Sequence, residues 1–192
     1  MPKQNRGPYI LAAGAAAQLL TGIPAAWGVF QQPVMDEYGL SEQGAGYAFG
    51  ILIAAFGVGC VIGGFLQDKH GPRCAGLWGT ALLCGGFFAA AMLPGGSAGS
   101  FFLAFSIPAG LGTAFLYPSI QSCAQKWYAG RKGLATGVIG GAVGLSGAFL
   151  TVFVRTALRG FGPVQGIRGA FWALGVLTLP VCLAGSALLT DP

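Results

Sequence analysis

Residues 44–73 read GAGYAFGILIAAFGVGCVIGGFLQDKHGPR, and the change of character along this stretch decides the fold. Residues 44–66 contain no Asp, Glu, Lys, Arg or His. A helix rises about 1.5 Å per residue, so this run crosses the ~30 Å hydrocarbon core of a bilayer. Residues 67–73 then crowd Asp68, Lys69, His70 and Arg73 around a Gly-Pro pair. Such a cluster is a short polar turn at a membrane surface, with Gly71 able to take the backbone conformation a tight turn needs.

Working outward, the same alternation recurs along the whole chain. It predicts six spans over 9–30, 44–66, 74–93, 100–124, 133–154 and 169–189, each about 20 residues long. No charged residue or histidine falls in the central part of any of them. Lipid offers no partners for backbone N–H and C=O groups, so each span must satisfy its own as a helix. Barrel strands are half as long and alternate in polarity, which these runs do not. The expected fold is an all-α membrane protein, with residues 1–192 forming a single six-helix bundle.

Composition agrees. Hydrophobic residues make up 54% of the 192 and charged residues 8%, with a mean hydropathy of +0.70. Soluble domains carry about a quarter charged residues. The 35 glycines lie within apolar runs rather than polar tracts, as suits helices that approach closely in lipid. The net charge of +5 sits in short loops, where it orients the chain and is no footprint for nucleic acid. Cys60, Cys74, Cys84, Cys123 and Cys182 show no CxxC spacing and read as structural thiols rather than a disulfide frame or metal site. The first apolar run fills a whole span, so it reads as a retained helix rather than a cleaved leader.

The loops give an orientation. Lys3, Arg6, Lys69, Arg73, Lys126, Arg131 and Lys132 fall on one side, and Asp36, Glu37 and Glu42 on the other. By the positive-inside rule the basic side, with both termini, is cytoplasmic. Arg155, Arg159 and Arg168 oppose the rule in the expected loop between spans five and six. They are either tolerated there or form a positive mouth for an anionic ligand.

Glycines at four-residue steps mark packing faces: Gly59 and Gly63 in span two, and Gly133, Gly137 and Gly141 in span five, with Gly140, Gly144 and Gly147 beside them. Packing within the chain is the expectation. Pro108 and Pro118 allow span four to bend.

The turn Gly64-x-x-x-Asp68-Lys69-x-Gly71-Pro72-Arg73 resembles the loop motif G-x-x-x-D-(R/K)-x-G-(R/K)-(R/K) of the major facilitator superfamily, with Pro72 replacing one basic residue. Asp68 can pair with Arg73 or face the amino end of a neighbouring helix. The stretch Trp127-Tyr128-Ala-Gly-Arg131-Lys132-Gly133-Leu-Ala-Thr-Gly137 is similar to a segment of the oxalate/formate antiporter branch and the related monocarboxylate transporters. Trp27-Gly-Val-Phe30 resembles their W-x-V-F. The resemblance covers about residues 9–189 and matches an amino-terminal six-helix half.

It implies transport of small organic anions, mono- or dicarboxylates, by alternating access, with a second six-helix half (a carboxy-terminal domain or another copy) as partner. Residues 191–192 stand where a twelve-helix member begins its central loop. The resemblance places Tyr117 on the substrate cavity. Gln121, one turn on, faces the same way. Both can hydrogen-bond a carboxylate without placing a charge in the membrane. Trp27 is a further candidate lining residue. Gly64, Asp68, Lys69, Gly71 and Arg73 form the gating loop, and Trp127, Arg131, Lys132 and Gly133 the second cytoplasmic motif. The expected location is the plasma (inner) membrane. A non-transporting subunit derived from a transporter half is the alternative. An enzyme is not expected: His70 is the lone histidine, and no nucleophile–base pair, metal cluster or cofactor motif is present.

Overall fold

The computed structural model describes residues 7–190, with the backbone alone for 163–165. Lys3, Arg6 and residues 191–192 lie outside the described residues. Among the described residues six helices are long and apolar enough to cross a membrane: α1 (Gly7–Tyr38), α2 (Glu42–His70), α3 (Pro72–Met92), α4 (Ala98–Trp127), α5 (Ala129–Gly162) and α6 (Gly166–Leu188).

The connections are short because their residues stop and restart helices abruptly. Gly39 ends α1 in the left-handed region, its N–H donating to Met35 O. Ser41 then caps α2 by accepting from Gly44 N–H at 3.1 Å, which satisfies one of the free donors at a helix start. Gly71 alone separates α2 from α3. Its φ of 85° lies where an L side chain is strained, and Pro72 is set for the first position of α3.

Several helices extend beyond the apolar runs. Polar flanks such as Gln31–Gln32 and Asp36–Glu37 continue α1 by two turns, because hydropathy marks where lipid begins and not where a helix ends. The same effect corrects the loop expected for the three arginines. α5 runs on to Gly162 (φ 68°), so Arg155 and Arg159 are helical residues of α5 and Arg168 belongs to α6.

α4 is the central post. It packs against α2, α3 and α1, while α6 packs on α3 and both α5 and α6 pack on α1. The α3–α4 contact is one of backbone against backbone. A β-carbon on Gly112 would lie 2.5 Å from Leu83 N and 2.8 Å from Gly79 O, so only the smallest side chain allows these backbones to meet. Gly59 and Gly63 of α2 rest on Leu111, Ala114 and Phe115 of α4. At one end of the bundle an aromatic cluster joins four helices: Phe30 stacks on Phe171, and Tyr38, Phe87, Phe101 and Phe105 surround them. The Tyr38 hydroxyl donates to Ala90 O at 2.7 Å.

The α5 glycines behave otherwise than expected. Around Gly133, Gly137, Gly140, Gly141 and Gly144, a β-carbon would meet nothing within 4 Å; Gly147 alone of that set closes on a neighbour, Ala25. Small residues license close contact without saying whether the partner lies in the same bundle. The most apolar windows of α2 and α5 are 17% and 28% buried, against 56% for α1, α3 and α4. These two helices carry the most open faces, with α6 next at 39% buried.

Candidate functional site

Thr113, Tyr117 and Gln121 follow one another at four-residue steps on α4, so they form a single stripe. Ile120, on one side of that stripe, meets Gly14 of α1; Leu111 and Ala114, on the other, meet α2. The stripe therefore lies in the groove between α1 and α2. Tyr117 and Gln121 are half-buried there. The Tyr117 ring lies 6.4 Å from that of Phe56, and the Gln121 Oε1 has no hydrogen-bond partner among the described residues.

The upper end of the stripe meets a break in α1. Gly22 leaves helical geometry (φ −77°, ψ 41°). Pro24 follows, without an N–H to continue the ladder. Thr113 Oγ1 donates to the Thr21 carbonyl at 3.5 Å, and Thr21 Oγ1 donates to Gln18 Oε1 at 2.6 Å. Gln18 is fully buried, and its Nε2 has no partner among the described residues. This Gln18–Thr21–Thr113 seam extends the polar stripe toward the middle of the α1 and α4 spans. It escapes a reading based on hydropathy, because amides and hydroxyls scarcely interrupt an apolar run. A polar pair just before Gly-x-Pro is the signal that marks it.

Trp27 does not join the stripe. It is 6% exposed and stacks on Phe49 of α2 at 6.0 Å, clamping α1 to α2.

On the side holding the Gly71 turn, Asp68, Lys69 and Arg73 are all exposed. Asp68 and Arg73 do not form an ion pair; Arg168 does, with Glu37 at 3.8 Å. The single-residue turn leaves Asp68 at the end of α2 and Arg73 at the start of α3. A β-carbon on Gly64, one turn before Asp68, would meet nothing within 4 Å, so both residues belong to the uncovered face of α2. Gln67 Nε2 donates to Ser122 Oγ at 2.9 Å and fixes this end of α2 to α4.

Trp127 is more than an interfacial ring. Its Nε1 donates to the Thr190 carbonyl at 2.6 Å, which ties the end of α4 to the segment after α6. Arg131, Lys132 and Gly133 are exposed around the start of α5. At the opposite end, Arg168 Nε donates to Ala91 O at 3.1 Å and its guanidinium faces Glu37. It joins α6 to α3 and α1. Among the described residues no three His, Cys, Asp or Glu side chains group as metal ligands, and none of the five cysteines forms a disulfide.

The sequence model of the Major Facilitator Superfamily matches residues 10–192. The chain belongs to the major facilitator superfamily. Among curated superfamily relatives, it is 25% identical to the oxalate:formate antiporter of Oxalobacter formigenes over 173 residues, covering 90% of this chain and 40% of that protein. It is 27% identical to monocarboxylate transporter 9 of Mus musculus, covering 97% of this chain and 36% of that one. The fold matches a superfamily proton:xylose symporter at a TM-score of 0.72 with 18% identity, over 95% of this chain and 44% of the symporter. It also matches a peptide transporter at 0.70 with 25% identity, over 93% and 37%. The chain spans less than half the length of each of these superfamily proteins.

Proposed function

We propose that the chain is the amino-terminal half of a secondary transporter that moves small mono- or dicarboxylates by alternating access. The observation that carries this reading is the α4 stripe, a phenol and an amide standing half-open in the groove between α1 and α2. Such groups bind a carboxylate by hydrogen bonds while keeping formal charge out of the membrane interior. The likeness to an oxalate:formate antiporter and a monocarboxylate transporter supports the same substrate class.

In this mechanism a second six-helix bundle covers the open faces of α2 and α5, and the substrate lies between the bundles near the midplane. Tyr117 and Gln121 hydrogen-bond the substrate, and Trp27 holds the α1–α2 wall behind them. Asp68, without an ion-pair partner among the described residues, finds one on the second bundle and biases the equilibrium between inward- and outward-facing states, with Lys69 and Arg73 beside it. Gly64 and Gly71 let the two bundles close. Trp127, Arg131, Lys132 and Gly133 seat the cytoplasmic end of α4 and α5 at the headgroups. Both termini are cytoplasmic, in the plasma (inner) membrane.

The test is uptake of labelled oxalate, formate and lactate into proteoliposomes, with xylose and a dipeptide as controls. The chain is reconstituted alone and with a separately expressed carboxy-terminal half. Saturable carboxylate uptake competed by unlabelled carboxylate is the expected result. Uptake of the sugar or peptide instead would replace the substrate class. Binding without uptake in either form would favour a non-transporting subunit.

A further inference from the structure

We infer that Arg155 and Arg159 form a capture site for the carboxylate at the outer end of the translocation face; the inference rests on the organic-anion reading proposed above. The two residues are one turn apart on α5, and both are exposed. Gly137 and Arg155 are 18 positions apart, as are Gly141 and Arg159. Eighteen positions are five whole turns at about 3.6 residues per turn. The arginines therefore stand directly in line with the open glycines, at the far end of the same stripe.

That stripe differs from the other exposed face of α5. Gly133, Gly137, Gly140, Gly144, Ala148 and Thr151 lie on it, all small. The neighbouring face presents Leu134, Val138, Leu145, Phe149 and Val152, all exposed and large, as a lipid-facing surface does. Arg155 thus continues the face that a second bundle and the substrate path would share, and Arg159, two turns after Val152, stands at the border between that face and the one that lipid covers.

Their charge is uncommitted. Arg168, the third base at this end, is engaged by Glu37 and the Ala91 carbonyl. Neither Arg155 nor Arg159 has a carboxylate within 4 Å among the described residues. Two like charges one turn apart repel weakly on an exposed helix face, and an anion seated between them relieves that repulsion. Each guanidinium presents a planar fork matched to a carboxylate, and a pair of them beside a low-dielectric wall concentrates anions locally.

The experiment measures the concentration dependence of oxalate and lactate uptake by the wild-type chain, R155Q/R159Q and R155K/R159K, at low and high ionic strength. Each protein is reconstituted in the form found active, in phosphatidylcholine vesicles with and without added phosphatidylglycerol. The expected result for the Gln pair is a KM raised about tenfold at low salt, with maximal rate within about twofold. The difference shrinks at high salt, where screening shortens the reach of the charges, and the Lys pair keeps most of the wild-type KM. An unchanged KM overturns the inference while leaving the transport reading intact. So does an effect that appears only with the anionic lipid, which would make the lipid phosphate the ligand. Absence of carboxylate uptake by the wild-type protein overturns both readings together.

Discussion

The side chain of Ser146 on α5 occupies the place that a β-carbon on Gly22 of α1 would take. One helix thus fills the notch left by the break in the other, and Ser146 Oγ donates to the Val143 carbonyl of its own helix. Gly22→Ala forces the two helices apart and is expected to cost roughly 1–3 kcal/mol, as other overpacking substitutions do. Thermal unfolding in detergent measures it. Pairing it with Ser146→Gly recovers much of the loss, and a double-mutant cycle reports the coupling. If the losses simply add, the two residues are not in contact.

Glycines on the two kinds of face will respond oppositely to alanine. At Gly112 the added carbon meets the Leu83 and Gly79 backbones, so Gly112→Ala lowers stability and yield. At Gly137 and Gly144 it meets nothing in this bundle, so those variants fold and melt as wild type. If those faces receive a second bundle, the variants lose transport despite normal folding. Melting curves and uptake assays on the same preparations separate the two effects.

Arg168 makes one contact that salt screens and one that it does not. The ion pair with Glu37 is long and the two side chains are 37% and 27% exposed, so it contributes about 0–1 kcal/mol. The hydrogen bond to Ala91 O is a charge-assisted one, and its loss costs more. Glu37→Gln is expected to produce a small melting shift that disappears in high salt. Arg168→Gln should produce a larger one that persists. Melting both variants across a salt series decides the order.

Trp127→Phe keeps the ring and removes the donor to the Thr190 carbonyl. The expected cost is ~1 kcal/mol, felt as faster amide exchange around residues 186–190 and little change elsewhere. Exchange unaltered in that segment would make the indole an anchor to lipid alone.

Asp68→Asn tests the gating role of the α2–α3 turn. Asp68 is exposed and has no ion-pair partner among the described residues, so its replacement leaves expression and melting unchanged. Transport falls if its partner lies on a second bundle. Wild-type uptake by the variant would reduce the turn to simple topology.

The six spans are legible in the sequence because each carries its own evidence: some twenty residues without charge, bounded by polar turns. Span ends are less so, since segments 31–38 and 155–162, which mix charged and polar residues with apolar ones, continue helices that hydropathy closes early. That is why Arg155 and Arg159 read as loop residues. Tyr117 and Gln121 stand out together because four-residue spacing places them on one stripe. Gln18, Thr21 and Thr113 escape notice because their importance is relational: each is ordinary until the break at Gly22 brings a carbonyl within reach. The α5 glycines show the limit most plainly, since an identical pattern serves contact within a bundle or between two.

The aromatic cluster has a mechanical meaning. Its rings come from α1, α3, α4 and α6, and none of these comes from α2 or α5. Four helices are bolted together at one end like a keel, and two ride alongside as outriggers. The four share load through those rings, while α2 is held to them by the Trp27–Phe49 stack and the Gln67–Ser122 hydrogen bond, and α5 by Ser146 in the Gly22 notch.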